Sequence, residues 1–216
     1  MSRSKPKAKM VEDLMKKTKY KKDVVECLLK MFRVYDTKLK NIEKFRVEKS
    51  KFRYMLQAVF CLTDDILMDR VFRAFDTDSD GSICEEEWVI GFSVFLSKDV
   101  DDRKTKFVFR AYDLKDEGYI TREAMFYFLK NCLVKTPTEE DPDEGPKELV
   151  EILLKILDLD RDGRVSYDEF ATGVKEDPML LESLGRCLPE QQYVDQFYSF
   201  LSGDKTPLTN SRQVNN

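Results

Sequence analysis

A pattern of apolar and acidic positions recurs four times along the chain. In each copy, an apolar residue is followed three positions later by a second apolar or aromatic residue and then by an aspartate. The four aspartates are Asp36, Asp76, Asp113 and Asp158. Seven residues after each of the last three comes an aliphatic residue, and five residues later an apolar residue begins another helical stretch. The first copy fits if four residues are inserted in its loop. The pattern predicts an all-α fold of four helix–loop–helix units.

The aliphatic positions also predict how the units pair. We expect Val47 to lie opposite Ile83, and Ile120 opposite Val165, as short strands that join the units into two lobes. The first lobe is expected at 1–98, with a degenerate first unit, and the second at 99–187. Apolar residues in 193–201 recur on one helix face and predict a C-terminal helix at 188–202. The polar residues 203–216 are expected to be disordered.

Two of the four loops have the composition of a calcium site. Loop 2 reads DTDSDGSICEEE (Asp76–Glu87), and loop 4 reads DLDRDGRVSYDE (Asp158–Glu169). Both match the calcium-loop pattern D-x-D-x-D-G-x5-E in full. Ca²⁺ prefers six to eight oxygen ligands, and this spacing supplies them from alternate loop positions. Without a cation, four carboxylates in one short loop would repel each other strongly, so we interpret both loops as metal sites.

The pattern assigns a role to each ligand position. In loop 2, three carboxylates, one backbone carbonyl oxygen and a closing glutamate form the set, which is Asp76, Asp78, Asp80, Ser82 and Glu87. In loop 4, the same roles fall to Asp158, Asp160, Asp162, the carbonyl of Arg164, and Glu169. Gly81 and Gly163 allow the sharp turn. Both closing glutamates are expected on the outgoing helices, so that ligand binding would act on a helix as well as on a loop. Mg²⁺ is a second candidate occupant at rest.

The other two loops are degenerate. Loop 3 (Asp113–Ala124) keeps Asp113 and Glu117 and offers the carbonyl of Tyr119, but Lys115 and Ala124 replace two carboxylate ligands. Glu123 is one residue early, which on a helix turns it about 100° away. We predict weak calcium binding by loop 3 or none. Loop 1 carries three lysines at or near ligand positions and is predicted to be structural; they are Lys40, Lys44 and Lys51.

Composition narrows the possible functions. The chain of 216 residues has no histidine, which excludes imidazole bases, imidazole ligands and Ser-His or Cys-His nucleophiles. Phosphate-binding glycine loops and serine elbows are also missing, so we do not expect an enzyme. The five scattered cysteines and the lack of a signal sequence predict reduced thiols in an intracellular protein without a membrane anchor.

The net charge of −4 hides an asymmetry, because residues 1–60 hold 18 Lys and Arg against 7 Asp and Glu. Five lysines between 16 and 22 lie in a helix-like stretch with apolar residues from Val11 to Leu29. This segment is either a basic helix for an acidic filament, nucleic acid or membrane surface, or a solvated helix face. Aromatic and basic residues do not interleave as they do in base-stacking proteins, so nucleic acid is not an expected partner.

The apolar faces of two helices also have two possible interpretations. Trp88, Phe92 and Phe95 on one helix, and Met125, Phe128, Leu129 and Leu133 on another, are spaced as core residues. They are either ordinary core or part of a groove that opens for a target helix. The C-terminal helix is expected either to fill the groove of the second lobe or to cap that lobe permanently.

The loops resemble EF-hands, and three further segments narrow the resemblance to the calaxin family of ciliary EF-hand proteins. These segments are TDDILMDRVFRAFD (63–76), EEDPDEG (139–145) and LLESLGRCLP (180–189). The loops alone would also fit neuronal calcium sensors and calcineurin B-like proteins. The family resemblance implies calcium sites at hands two, three and four, and Lys115 and Ala124 depart from that expectation in loop 3.

The resemblance implies a Ca²⁺ sensor of the axoneme that binds the outer-arm dynein heavy chain and regulates ciliary or flagellar motility. Tubulin and docking-complex proteins are further candidate partners, and the free chain is expected to be a cytoplasmic monomer. The alternatives are a Ca²⁺-independent docking subunit, a regulatory subunit of another target, and a calcium buffer.

Overall fold

The computed structural model describes residues 8–35, 45–132 and 143–202, and helices dominate this part of the chain. The α-helices are α1 Ala8–Thr18, α2 Lys22–Tyr35, α3 Lys49–Phe60, α4 Asp65–Phe75, α5 Glu85–Phe95, α6 Asp102–Tyr112, α7 Arg122–Cys132, α8 Glu144–Leu157, α9 Tyr167–Glu176 and α10 Gln191–Leu201, with a 3-10 helix at Pro178–Glu182. The strands are β1 Val47–Glu48, β2 Ser82–Ile83, β3 Tyr119–Thr121 and β4 Arg164–Ser166. The predicted all-α fold of EF-hand units is confirmed.

The short strands pair as the aliphatic repeat predicts. Strand β1 is antiparallel to β2 with Val47 opposite Ile83, and β3 is antiparallel to β4 with Ile120 opposite Val165. All four aliphatic residues are buried. Each pairing ties two consecutive loops together, so the loops of one pair cannot move independently.

The chain forms two compact units. The repeat alone does not predict which helix belongs to which unit. The first unit comprises Met1–Thr63, Phe75–Lys98 and Pro189–Asn216, and the second comprises Asp64–Ala74 and Asp99–Leu188. Most of α4 therefore belongs to the second unit, and α10 belongs to the first.

An aromatic cluster forms the core of the first unit. Trp88 is fully buried, its indole N–H donates to the carbonyl oxygen of Leu28 at 3.1 Å, and its ring lies 5.6 Å from Phe32 and 4.8 Å from Phe92. The packing leaves no room for a side chain at Gly91, where a Cβ would lie 2.2 Å from the Phe75 ring. The face formed by Trp88, Phe92 and Phe95 is core in this structure.

The C-terminal helix completes that core, and not the groove of the second lobe. In α10, Phe197 is fully buried, with its ring 5.2 Å from Phe60 and stacked 5.6 Å from Phe92. The hydroxyl of Tyr198 shares a 3.0 Å hydrogen bond with that of Tyr20. The periodicity of 193–201 correctly predicts the helix, but the expected location was wrong.

The basic stretch near the N-terminus is two helices and not one. Helix α1 ends at Thr18, and Lys19 has a φ of 60°, which breaks the helical path before α2 begins. The apolar residues Val11, Leu14, Val25 and Leu28 are buried, whereas the five lysines between 16 and 22 are exposed. One of them, Lys17, forms an ion pair with Glu86 of α5.

Helices α6 to α9 build the core of the second unit around buried aromatic and aliphatic residues. Tyr112, Phe128 and Phe170 are almost fully buried, and the Tyr112 hydroxyl donates to the carbonyl oxygen of Gly185 at 2.6 Å. Met125, Phe128 and Leu129 of α7 belong to this core.

Several sequence predictions fall outside the described residues. These are Asp36, Lys40 and Lys44 of loop 1, Leu133, most of the segment EEDPDEG (139–145), and the tail at 203–216. All five cysteines are free thiols. Within the described ranges, no helix combines the length and apolar character needed to cross a bilayer.

Candidate metal centres

Loops 2, 3 and 4 share one backbone conformation. The fourth residue of each loop has a φ between 56° and 63°, and the glycine at the sixth position has a φ between 84° and 86°. These residues are Ser79, Asp116 and Arg161 at position four, and Gly81, Gly118 and Gly163 at position six. The left-handed sixth position favours glycine, since other residues are strained there. Loop 3 is thus an EF-hand loop in shape, and only its side chains differ.

The first aspartate of each loop holds this shape through backbone hydrogen bonds. The Asp76 carboxylate accepts from the N–H groups of Asp80 at 3.1 Å and Gly81 at 2.9 Å. Asp158 accepts from Asp162 and Gly163 at 3.1 and 3.0 Å, and Asp113 makes the equivalent pair of bonds. These bonds from the loop backbone to the first side chain hold each loop in its turn.

Loop 2 brings three of its predicted ligands together. Oxygen atoms of Asp76, Asp78 and Glu87 lie within 4.8 Å of one another. Asp76 and Glu87 are buried, with 1% and 6% of their surface exposed. Burial raises the pKa of Asp76 above its ordinary value, because two backbone N–H groups only partly offset the loss of water. The fourth predicted carboxylate, Asp80, lies outside this group of three.

Glu87 is bound to its own loop by several hydrogen bonds. Its Oε1 accepts from the Thr77 N–H at 2.7 Å, the Thr77 hydroxyl at 2.8 Å and the Asp78 N–H at 3.2 Å, and its Oε2 accepts from the Cys84 N–H at 2.9 Å. Burial acts to raise the pKa of Glu87, but these bonds outweigh it, and the pKa lies below its ordinary value. Glu87 is therefore an anion in the first turn of α5, and its carboxylate reaches across the loop to Thr77 and Asp78.

Loop 4 brings together a different subset of ligands. Oxygens of Asp158, Asp160 and Asp162 lie within 4.8 Å of one another, whereas Glu169 lies outside this group. The Glu169 carboxylate accepts from the backbone N–H of Leu159 at 2.9 Å and Asp160 at 3.2 Å, as Glu87 does in loop 2. Its Oε2 accepts from Ser166, which caps the first turn of α9. Burial tends to raise the pKa of Glu169, but the hydrogen bonds prevail and lower it.

The two residues predicted to offer carbonyl oxygens lie on the strands. Ser82 opens β2, and its N–H and hydroxyl donate to Asp80 Oδ1 at 2.9 and 2.7 Å. Arg164 opens β4, its Nε donates to Asp162 Oδ2 at 2.7 Å, and its guanidinium lies 4.3 Å from the centre of the Tyr119 ring. Both positions are seventh in their loops, as the pattern requires.

The donor chemistry fits a hard divalent cation. Each complete loop supplies carboxylate oxygens from four side chains, and three of the four are already clustered. Oxygen-only ligand sets suit Ca²⁺ or Mg²⁺ and not the transition metals that need nitrogen or sulfur. The cation would supply the charge that lets these carboxylates lie close together.

Arginines, and not carboxylates, dominate the surroundings of loop 3. Asp113 is at position one of the loop, Glu117 at position five and Tyr119 at position seven. Positions three and twelve carry no carboxylate. The guanidinium of Arg70 donates to the carbonyl oxygens of Ala111 at 3.0 Å, Arg110 at 3.3 Å, Leu114 at 3.4 Å and Asp113.

These arginines supply charge-assisted hydrogen bonds where α6 ends and loop 3 begins. Arg73 donates through Nε and Nη2 to Asp116 Oδ2 at 3.0 and 2.8 Å. Burial lowers the pKa of Arg70 although Asp116 and Asp113 act to raise it. A cation at the C-terminus of a helix also opposes its negative dipole end. Sequence reasoning missed Arg70 and Arg73, because no local spacing links α4 to loop 3.

Replacing Asp113 with alanine is expected to leave calcium stoichiometry unchanged but to lower stability. Its buried carboxylate accepts the N–H groups of Glu117 and Gly118, so its removal leaves two loop donors without their partner. The cost should be about 1–3 kcal/mol in the free energy of unfolding. Calorimetric titration would count bound calcium, and urea unfolding in chelator would measure stability. Loss of a full calcium equivalent would show that loop 3 is a metal site.

Comparison with known proteins agrees with the geometry. An EF-hand domain pair model matches residues 102–175, and an EF hand model matches residues 67–92. The fold and the two carboxylate loops define a calcium-binding EF-hand regulatory protein that is not an enzyme.

The similarity to individual relatives is more specific. The chain is 50% identical to calaxin of Xenopus laevis over 70% of this chain and 72% of that protein. It is 44% identical to calaxin of Danio rerio over 87% of this chain and 90% of that protein. It is 42% identical to calaxin of Homo sapiens over 88% of this chain and 90% of that protein. The chain belongs to the calaxin family.

Proposed function

We propose that the chain is a calcium sensor of the ciliary and flagellar axoneme that binds the outer-arm dynein heavy chain and alters motility when loops 2 and 4 take up Ca²⁺. The observation that carries the proposal is the pair of complete carboxylate loops in a member of the calaxin family. Sensor loops of this composition commonly bind calcium with Kd values of about 10⁻⁷–10⁻⁵ M.

The closing glutamates connect ligand binding to helix position. Glu87 lies in the first turn of α5, and Glu169 lies in the first turn of α9. Cation binding by Glu169 together with Asp158, Asp160 and Asp162 would therefore act on α9 as well as on the loop. A change in helix position at the surface of a lobe is a sufficient signal for a bound partner.

The experiment compares the recovery of purified outer-arm dynein on the immobilised full chain in calcium and in chelator. We expect recovery to differ at least about fivefold between the two conditions. The double variant Glu87→Gln, Glu169→Gln should abolish the difference, while Glu86→Gln, which removes a neighbouring charge, should retain it.

Other results would favour other functions. Equal recovery with and without calcium would indicate a calcium-independent docking subunit. Binding to tubulin or to docking-complex proteins alone would indicate that the partner is not dynein. No recovery in either condition would contradict the proposal that the chain binds dynein. It would not contradict calcium binding by loops 2 and 4.

A further inference from the structure

An arginine from the first hand forms an ion pair with a predicted ligand of loop 2. Arg46 lies immediately before β1, and its Nη2 is 3.0 Å from Oδ2 of Asp80, the fifth-position carboxylate. The β1–β2 pairing, with Val47 opposite Ile83, fixes this neighbourhood. Both side chains are partly covered, with 20% of Arg46 and 36% of Asp80 exposed. Arg46 adjoins β1 and Asp80 lies two residues before β2, so the strand pairing keeps the two side chains close together.

Both carboxylate oxygens of Asp80 have protein partners. The carboxylate group within 4.8 Å comprises Asp76, Asp78 and Glu87, and Asp80 is not part of it. Oδ2 pairs with Arg46, while Oδ1 accepts the N–H and hydroxyl of Ser82. In this geometry the fifth-position ligand is occupied by protein groups.

Loop 4 supplies an internal comparison. Its fifth-position carboxylate, Asp162, also pairs with an arginine, but that arginine is Arg164 of the same loop. Asp162 nevertheless remains within 4.8 Å of Asp158 and Asp160. Asp80 and Asp162 accept the same bond from the seventh-position N–H, so the two loops differ in whether the arginine comes from the neighbouring hand or from the same loop.

We propose that Arg46 competes with Ca²⁺ for Asp80 and so lowers the calcium affinity of loop 2. A cation bound to Asp80 draws on the same carboxylate charge that pairs with the guanidinium, and the arginine charge lies close to the bound divalent cation. Both effects disfavour the bound state. A partly exposed ion pair contributes little by itself, so most of the effect comes from repulsion between Arg46 and the cation.

This inference gives the degenerate first hand a function. That hand keeps the strand that pairs with loop 2, and next to this strand it carries an arginine whose charge sets the calcium affinity of loop 2. It rests on the proposed calcium binding by loop 2.

The test is a calorimetric calcium titration of the full chain in a Glu169→Gln background, in which loop 4 is silenced. Arg46→Met should tighten calcium binding by about three- to tenfold, because a positive charge near the cation is removed. Arg46→Lys should stay near the parent affinity, since it keeps the charge. Lys98→Met removes an equal charge that pairs with Asp195 and should leave the affinity unchanged.

The salt dependence of the calcium affinity is a second measurement, and it tests the repulsion whatever the size of the change in affinity. Raising the KCl concentration should bring the affinities of the parent chain and Arg46→Met closer together, because salt screens the repulsion. Circular dichroism would confirm that the variants fold. If Arg46→Met binds calcium like its parent while Glu87→Gln abolishes binding, loop 2 is a calcium site but Arg46 does not compete with the cation. If the Glu169→Gln background binds no calcium at all, loop 2 is not a site and both proposals fail.

Discussion

Replacing Glu87 with glutamine is expected to weaken calcium binding by loop 2 by on the order of a hundredfold or more, because the twelfth position supplies both oxygens of a carboxylate. An amide offers one oxygen and carries no charge. Glu169→Gln should do the same in loop 4. Each single variant should therefore lose about one bound calcium in a calorimetric titration, and the double variant should lose both.

Glu86→Gln is the matched control for this series. Glu86 is adjacent to Glu87 on α5, but it pairs with Lys17 and lies outside the carboxylate cluster. Its replacement removes the same charge and should leave the stoichiometry intact. Full calcium binding by Glu87→Gln would show that loop 2 is closed by a different group.

Trp88→Ala is expected to lower the free energy of unfolding of the first unit by about 3–5 kcal/mol. The indole is fully buried, contacts Phe32, Phe52 and Phe92, and donates a hydrogen bond to Leu28. Alanine would leave a large cavity and would remove the hydrogen bond of the indole. Urea unfolding in chelator should be followed by circular dichroism, since Trp88 is the only tryptophan in the chain.

Trp88→Phe separates packing from hydrogen bonding. Phenylalanine retains most of the apolar contact but cannot donate to Leu28, so a loss of about 1–2 kcal/mol is expected. A loss below about 1 kcal/mol for Trp88→Ala would mean that this face of α5 is not core in solution, which would favour a groove that is open to a target.

The repeat allowed much of the fold to be predicted from sequence. The spacing from each aspartate to the aliphatic residue set the strand register, and Val47–Ile83 and Ile120–Val165 pair as expected. Glycine at the sixth position of loops 2 to 4 predicted the turn, which the φ values bear out. These features are local, because each depends on residues within one twelve-residue loop or on the neighbouring copy.

Features that depend on distant partners were not predictable from the pattern. The apolar face of α10 shows that the helix must pack against something, but periodicity does not say what, and Phe197 packs beside Phe60 and Phe92. Arg46 and Arg70 were missed for a related reason. The chain has 37 lysines and arginines, and spacing does not reveal which of them meets a particular carboxylate or carbonyl.

The position of α10 has a consequence for synthesis of the protein. The first unit is assembled from three separate stretches, and the last of them begins at Pro189. During translation, Phe60 and Phe92 emerge long before Phe197, so this core stays incomplete until α10 has left the ribosome. The second unit, whose last residue is Leu188, has all of its sequence available earlier. A chain truncated after residue 188 should therefore retain the whole sequence of the second unit but leave Phe60 and Phe92 without Phe197.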